Sequence, residues 1–142
     1  MNKDIDITKQ LKCLIDDYDF NIETLSKYLK LDNNQIKLLA SGDINFLPND
    51  NQYRFNLFNK ISFLYSSTIE EKDFKLDAFL KVLLSYHNIS KKTISKMSGV
   101  DIKEIDKFLS SKKSKISIED KYKLAITTMC LRFFLKDNEN LQ

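Results

Sequence analysis

Two runs hold the side chains with the most chemistry to offer. In the first, Asn33, Asn34, Gln35 and Lys37 lie close together, and the amides of Asn and Gln can each pair a donor and an acceptor with the edge of an adenine. In the second, Lys91, Lys92 and Lys96 precede Lys103 and Lys107, with Lys112, Lys113 and Lys115 close behind. Ammonium groups spaced in this way suit a row of phosphates, which positions a protein without reading sequence. Two acids, Glu104 and Asp106, interrupt that run and would repel a phosphate.

Such groups act together only if short elements hold them on one face. The stretch from Thr93 to Leu109 has that form. Apolar Ile94, Val100, Ile105 and Phe108, small Ser95 and Gly99 fall at the offsets of two short helices meeting across a tight turn. The apolar side chains fill the wedge between the helices, the small residue lets the second helix approach, and glycine relieves a Cβ clash in the turn. The stretch resembles the helix-turn-helix of phage-repressor-like regulators of the Cro/C1 (XRE) type. The resemblance covers residues 9–42 and 78–111 and implies an all-α, DNA-binding transcriptional regulator of a prophage, a mobile element or a bacterial operon. It implies double-stranded, AT-rich operator DNA as partner, read by Asn33, Asn34, Gln35, Lys37, Lys103 and Lys107. Phosphates would be held by Lys27, Lys91, Lys92, Lys96, Lys112, Lys113 and Lys115.

The chain carries this pattern twice. Residues 8–65 laid on residues 77–134 at a constant offset of 69, without gaps, match at Leu11/Leu80, Leu14/Leu83, Thr24/Thr93, Ser26/Ser95, Lys27/Lys96, Asp32/Asp101, Ile36/Ile105 and Tyr53/Tyr122. Apolar positions match as well, among them Leu25/Ile94, Leu31/Val100, Leu39/Phe108, Phe55/Leu124, Leu57/Ile126 and Ile61/Cys130. Each unit reads as four helices: in the first, Lys9 to Asp17, then from the N-cap Asn21 to Leu29, then Asn33 to Ala40 stopped by Gly42, then about Asp50 to Tyr65. In the second, Ser90 is the corresponding N-cap and Ser117-x-x-Asp120 opens the fourth helix. Ser67-x-x-Glu70 has the form of a capping box and places the boundary between units at 1–66 and 67–142. The connecting segment lacks glycine and proline, so the two units are expected to dock closely. Lys30 stands where the second unit has Gly99; a left-handed residue there would cost ~1 kcal/mol, so a different turn geometry is expected.

Composition bounds the rest. In 142 residues, two glycines and one proline argue for helix nearly throughout, and 42% hydrophobic residues suffice for a core. The net charge of +3 lies on one unit: residues 8–65 have seven positive and seven negative side chains, and residues 77–134 have twelve and six. Only Arg54 and Arg132 among the 23 basic residues are arginine, a bias that fits an AT-rich coding background. No Ser/His/Asp, Cys/His, phosphate-loop or metal-ligand spacing occurs, so no enzyme, cofactor or metal is expected. His87 aligns with Tyr18 and reads as half-buried surface, while Cys13 and Cys130 align with Val82 and Ile61 and read as buried apolar thiols. No apolar run approaches the ~20 residues of a membrane span, and the first residues lack a signal-peptide core, so a cytoplasmic protein is expected. Phe58, Phe63, Tyr65, Phe133 and Phe134 crowd the fourth helices and suggest an apolar interface in a homodimer. The acids near Lys103 and the neutral first unit leave a rival open: a helix-turn-helix scaffold that docks a protein, as an antirepressor or regulatory subunit would, without binding DNA.

Overall fold

The computed structural model describes residues 6–139, and all regular structure among them is helical. They fall into two compact units, Met1–Ile69 and Glu70–Gln142. The first contains α1 (Ile7–Asp16), α2 (Ile22–Leu29), α3 (Asn33–Ala40) and α4 (Asn51–Ile69). The second contains α5 (Lys72–Ser85), α6 (Lys91–Ser98), α7 (Ile102–Leu109) and α8 (Ile118–Leu135), with a 3-10 turn, Lys113–Lys115, before α8.

Each unit closes around its own core. In the first, Leu11 of α1, Leu25 and Leu29 of α2, Ile36 and Leu39 of α3, and Leu57 and Ile61 of α4 are buried together with Leu31 and Leu47. In the second, Leu76, Leu80 and Leu83 of α5 meet Ile94, Val100, Ile105, Phe108, Ile116 and Leu124. Each such side chain contributes about 1.5–3 kcal/mol by leaving water, and the two motif helices hold their place because their buried faces complete these cores.

Helix starts are set by side-chain oxygens that accept orphan backbone amides. Asn21 accepts from the Thr24 amide at 3.0 Å, and Ser90 accepts from the Thr93 amide at 3.1 Å. Asp32 accepts from the Gln35 amide at 2.8 Å, and the Gln35 side chain accepts from the Asp32 amide at 3.0 Å, which closes a capping box on α3. Asp101, its counterpart before α7, makes no side-chain cap bond.

Three expectations change. Lys30 adopts the same left-handed turn as Gly99, with φ 56 and ψ 45 against φ 75 and ψ 16, so no alternative turn geometry is used. The turn is held shut from inside: the Ser26 hydroxyl donates to the Leu31 carbonyl, as the Ser95 hydroxyl donates to the Val100 carbonyl. These bonds, with the Leu31 amide donating to the Ser26 carbonyl at 3.1 Å, offset the cost of a β-carbon in that region. Second, Ser67 does not open the second unit. Ser67 and Thr68 lie in the last turn of α4, their hydroxyls donating back to Leu64 and Tyr65 carbonyls at 2.6 Å, and Glu71 caps α5 by accepting from the amides of Asp73 and Phe74.

Third, the constant offset breaks before the fourth helices. α2 and α3 coincide with α6 and α7 at an offset of 69, whereas α4 and α8 begin 67 residues apart, because residues 41–50 connect one pair and the shorter 110–117 the other. A slip of two residues turns a helix by more than half a turn. Leu57 and Ile61 are buried while Ile126 is 51% exposed, and Phe55 is exposed while Leu124 is buried. Offset 67 instead pairs Leu57 with Leu124 and Ile61 with Thr128, all buried. Cys130 is therefore an exposed thiol, and Cys13 on α1 is a partly exposed one, where both were expected to be buried.

Candidate nucleic-acid interface

In the first unit, α2 ends at the left-handed Lys30 and α3 starts three residues later, so Lys27 and the first residues of α3 border the same depression. This open hollow of about 590 Å³ is lined by Glu23, Ser26, Lys27, Asp32, Asn33 and Asn34. Asn33, Asn34 and Lys37 are exposed on α3, whereas Ile36 and Leu39 point into the core. Gln35, expected among the base readers, is half-buried and spends its side-chain oxygen on the capping box, so its amide is not free to face a base edge in both directions. Lys27 faces Glu23 at 3.9 Å with both side chains largely exposed, a contact worth little in water.

The second unit presents the same two helices with different electrostatics. Lys91 at the start of α6 bonds Asp106 on α7 at 2.7 Å, bracing one motif helix against the other. Lys107 bonds Glu104 at 3.0 Å. Two of the expected contact lysines are thus already matched by the acids that interrupt the run. Lys92, Lys96, Lys103, Lys112 and Lys115 are exposed, and among the described residues no carboxylate lies within ion-pair distance of them.

Lys113 is placed apart from the other lysines. Its ammonium bonds Asp77 at 3.1 Å, donates to the Ser110 carbonyl at 3.0 Å and lies 5.6 Å from the centre of the Phe108 ring. Asp77 is buried and also meets Lys81 at 2.8 Å. Burial pushes its carboxyl upward, but the bonds from Lys81 and Lys113 outweigh that and leave it below the ordinary carboxylate range. Lys113 therefore serves the fold of the loop after α7, a role its place among neighbouring lysines concealed.

The aromatic residues expected at an interface separate in the same way. Phe58 packs against the first core, and Tyr65 is half-buried beside the Cys13 thiol. Phe63, Phe133 and Phe134 are exposed at 69%, 63% and 75%. His87 is half-buried as a residue, with its side chain only 7% exposed and its Nε2 2.9 Å from Glu139, which also takes Arg132 at 2.7 Å. That partner lies 52 residues away, beyond the reach of any local pattern.

A helix capped by Asn21 or Ser90, a left-handed turn stapled by a serine hydroxyl, and a second short helix with polar residues outward define a helix-turn-helix protein. A family model of the helix-turn-helix domain matches residues 2–141, and the chain belongs to that family. No curated protein and no solved structure matches the chain. Among the described residues, no helix is long and apolar enough to cross a membrane, and no group of three or more His, Cys, Asp or Glu side chains could hold a metal ion.

Proposed function

We propose that the chain is a DNA-binding transcriptional regulator of the Cro/C1 (XRE) type, built from two copies of one helix-turn-helix unit and acting on AT-rich operator DNA of a prophage, mobile element or bacterial operon. The observation that supports this most is the contrast between the two outward faces. On α3, Asn33, Asn34 and Lys37 stand exposed with no acid paired to them among the described residues, so their donors and acceptors are available to base edges in the major groove. On α7, Asp106 and Glu104 are held by Lys91 and Lys107, which leaves Lys103 as the unpaired charge of that face among the described residues. The first unit is therefore the reader. Lys27 holds a phosphate beside it, and Lys92, Lys96, Lys103, Lys112 and Lys115 supply the sequence-independent attraction of the second.

The test is fluorescence anisotropy on an operator selected from random AT-rich duplexes, at two salt concentrations. Asn33→Ala with Asn34→Ala should weaken binding to the selected duplex by about 10–100-fold for each lost bidentate pair and leave binding to unrelated duplex unchanged. Lys96→Glu with Lys103→Glu should weaken both equally and flatten the dependence on salt. Binding that is absent at low salt, or a salt slope near zero, would reject the reading. The matched charges of α7 favour one alternative, a helix-turn-helix scaffold that docks a protein through its second unit, and that result would support it.

A further inference from the structure

Asp77 is a carboxylate on α5, 6% exposed, beside the apolar core positions Leu76, Leu80 and Leu83. A carboxylate taken out of water costs free energy unless it is paired and bonded. The core of such a unit does not require one. α1 and α5 keep the offset of 69, since the amides of Phe20 and Ile89 donate to the carbonyls of Leu14 and Leu83 at 2.9 and 3.0 Å, and the first unit buries Thr8 at the place of Asp77.

The partners of Asp77 explain its place. One oxygen takes Lys81, a turn further along the same helix, at 2.8 Å, and the other takes Lys113, from the loop after α7, at 3.1 Å. Bonds within the loop leave it little freedom. The Ser110 hydroxyl accepts from the Lys112 amide at 3.2 Å and donates to the Lys107 carbonyl at 2.6 Å, and Ile116 enters the core. The Lys115 amide donates to the Lys112 carbonyl at 3.0 Å, the bond of the 3-10 turn. In that turn residues three apart stand one above the other at ~2 Å per residue, so Lys112 and Lys115 share one edge, roughly 6 Å apart, while Lys113, a third of a turn round, goes to Asp77. Lys112 and Lys115 are exposed, and among the described residues no carboxylate lies within ion-pair distance of them. Two cations carried on one edge of a fixed turn bind an anionic chain without first having to order the backbone that holds them.

We propose that Asp77 is a positioning residue for DNA, which through Lys113 fixes the turn so that Lys112 and Lys115 meet neighbouring phosphates of one strand; this role rests on the DNA-binding reading and adds to it the means by which the second unit sets its phosphate contacts. Asp77 touches no phosphate itself. The buried charge that the first unit does without is there to hold the loop.

A double-mutant cycle on the full chain tests it, read by fluorescence anisotropy with a labelled AT-rich duplex at several salt concentrations. Lys112→Gln with Lys115→Gln should weaken binding to every duplex alike and lower the salt slope by about two. Asp77→Asn, which keeps the shape of the side chain, should weaken binding several-fold in the unsubstituted chain and add no further loss to the doubly substituted one, because the lysines it places are then gone. A general loss of stability would instead weaken both backgrounds equally. Asp77→Thr carries the side chain that the first unit buries at this place, and it repeats the measurement if circular dichroism shows Asp77→Asn unfolded. Binding by the unsubstituted chain, with the Asp77 variants without effect or equally costly in both backgrounds, would overturn this proposal alone. Absence of binding by the unsubstituted chain at low salt would overturn it together with the DNA-binding reading.

Discussion

Lys37 and Asp106 occupy the same place, the fifth residue of the second motif helix, with opposite charge. In the first unit the residue at the start of the preceding helix is Ile22, which packs against the core, so Lys37 has no partner there. In the second it is Lys91, which reaches across and bonds Asp106. One unit leaves its outward face open and polar, while the other closes its face with ion pairs inside the unit. The same backbone thus carries two different outward faces, and the pair at positions 22 and 37 against that at 91 and 106 accounts for much of the difference. The units also differ at their far ends. The second buries Glu139 between His87 and Arg132, and no such cluster occurs among the described residues of the first.

That far end gives the largest expected effect. Glu139→Gln removes the charge that His87 and Arg132 share and turns one of its two acceptor oxygens into a donor, and should cost the second unit about 2–3 kcal/mol. Hydrogen exchange read by mass spectrometry reports each unit separately and should show faster exchange in α5 and α8 with α1–α4 unchanged. The pH dependence follows from the same contacts. Burial pushes the Glu139 carboxyl upward, but the bonds from His87 and Arg132 outweigh it, so its folded pKa lies below the ordinary 4.5. A depressed carboxylate stabilises fully above that ordinary value and loses its contribution as pH falls through the folded one. The second unit should therefore weaken below about pH 4.5, and Glu139→Gln should flatten that loss. Equal acid sensitivity of the two units would break the contrast.

The next effect tests the closed face directly. Glu104→Gln with Asp106→Asn removes two negative charges and releases Lys91 and Lys107. If the pairs silence α7, DNA affinity at low salt should rise about tenfold and the salt slope steepen by up to about two. No change would mean that α7 stays off DNA and would strengthen the protein-docking alternative.

What the sequence made legible follows from range. The caps Asn21 and Ser90, the left-handed Gly99 and the apolar spacing of Leu25, Leu31, Ile36 and Leu39 act within a few residues, and α2, α3, α6 and α7 could be delimited from them. The fourth helices could not be aligned, because the difference between residues 41–50 and 110–117 leaves no mark in apolar periodicity, and chance matches such as Tyr53 with Tyr122 concealed the slip. Gln35 and Lys113 show a related limit of local pattern. Their types suit DNA, and the contacts they also make within the fold, the capping box and the bond to buried Asp77, leave no mark in the sequence. Lys37, Asn33 and Asn34 stay exposed on a helix whose other face is core, a placement that the period of α3 already dictated.

The turns allow a finer comparison. A β-carbon at Gly99 would meet nothing within 4 Å, so Gly99→Ala is strained only by its backbone and should cost the second unit about 1 kcal/mol. Lys30→Gly should stabilise the first unit by less, about 0.5 kcal/mol, because the added freedom of glycine in the unfolded chain offsets part of the relief. Urea unfolding followed by hydrogen exchange measures both. Equal and opposite shifts would mean that Lys30 and Gly99 carry the same balance of backbone strain and unfolded-chain freedom.

The smallest effect concerns Ile61 and Thr128, which share a place on the fourth helices once the slip is allowed for. Both are buried, Thr128 at 0% exposure, yet its hydroxyl finds no hydrogen-bond partner among the described residues. A hydroxyl taken out of water without a partner costs free energy that a methyl of nearly the same shape does not. Thr128→Val keeps the β-branched shape that α8 accommodates and should raise the stability of the second unit by about 0.5–1 kcal/mol, seen as slower exchange in α5 and α8. The larger Thr128→Ile adds a methylene to a packed site and should gain less or lose. If both substitutions destabilise, the Thr128 hydroxyl is bonded in solution, and the two units differ in their cores as well as on their faces.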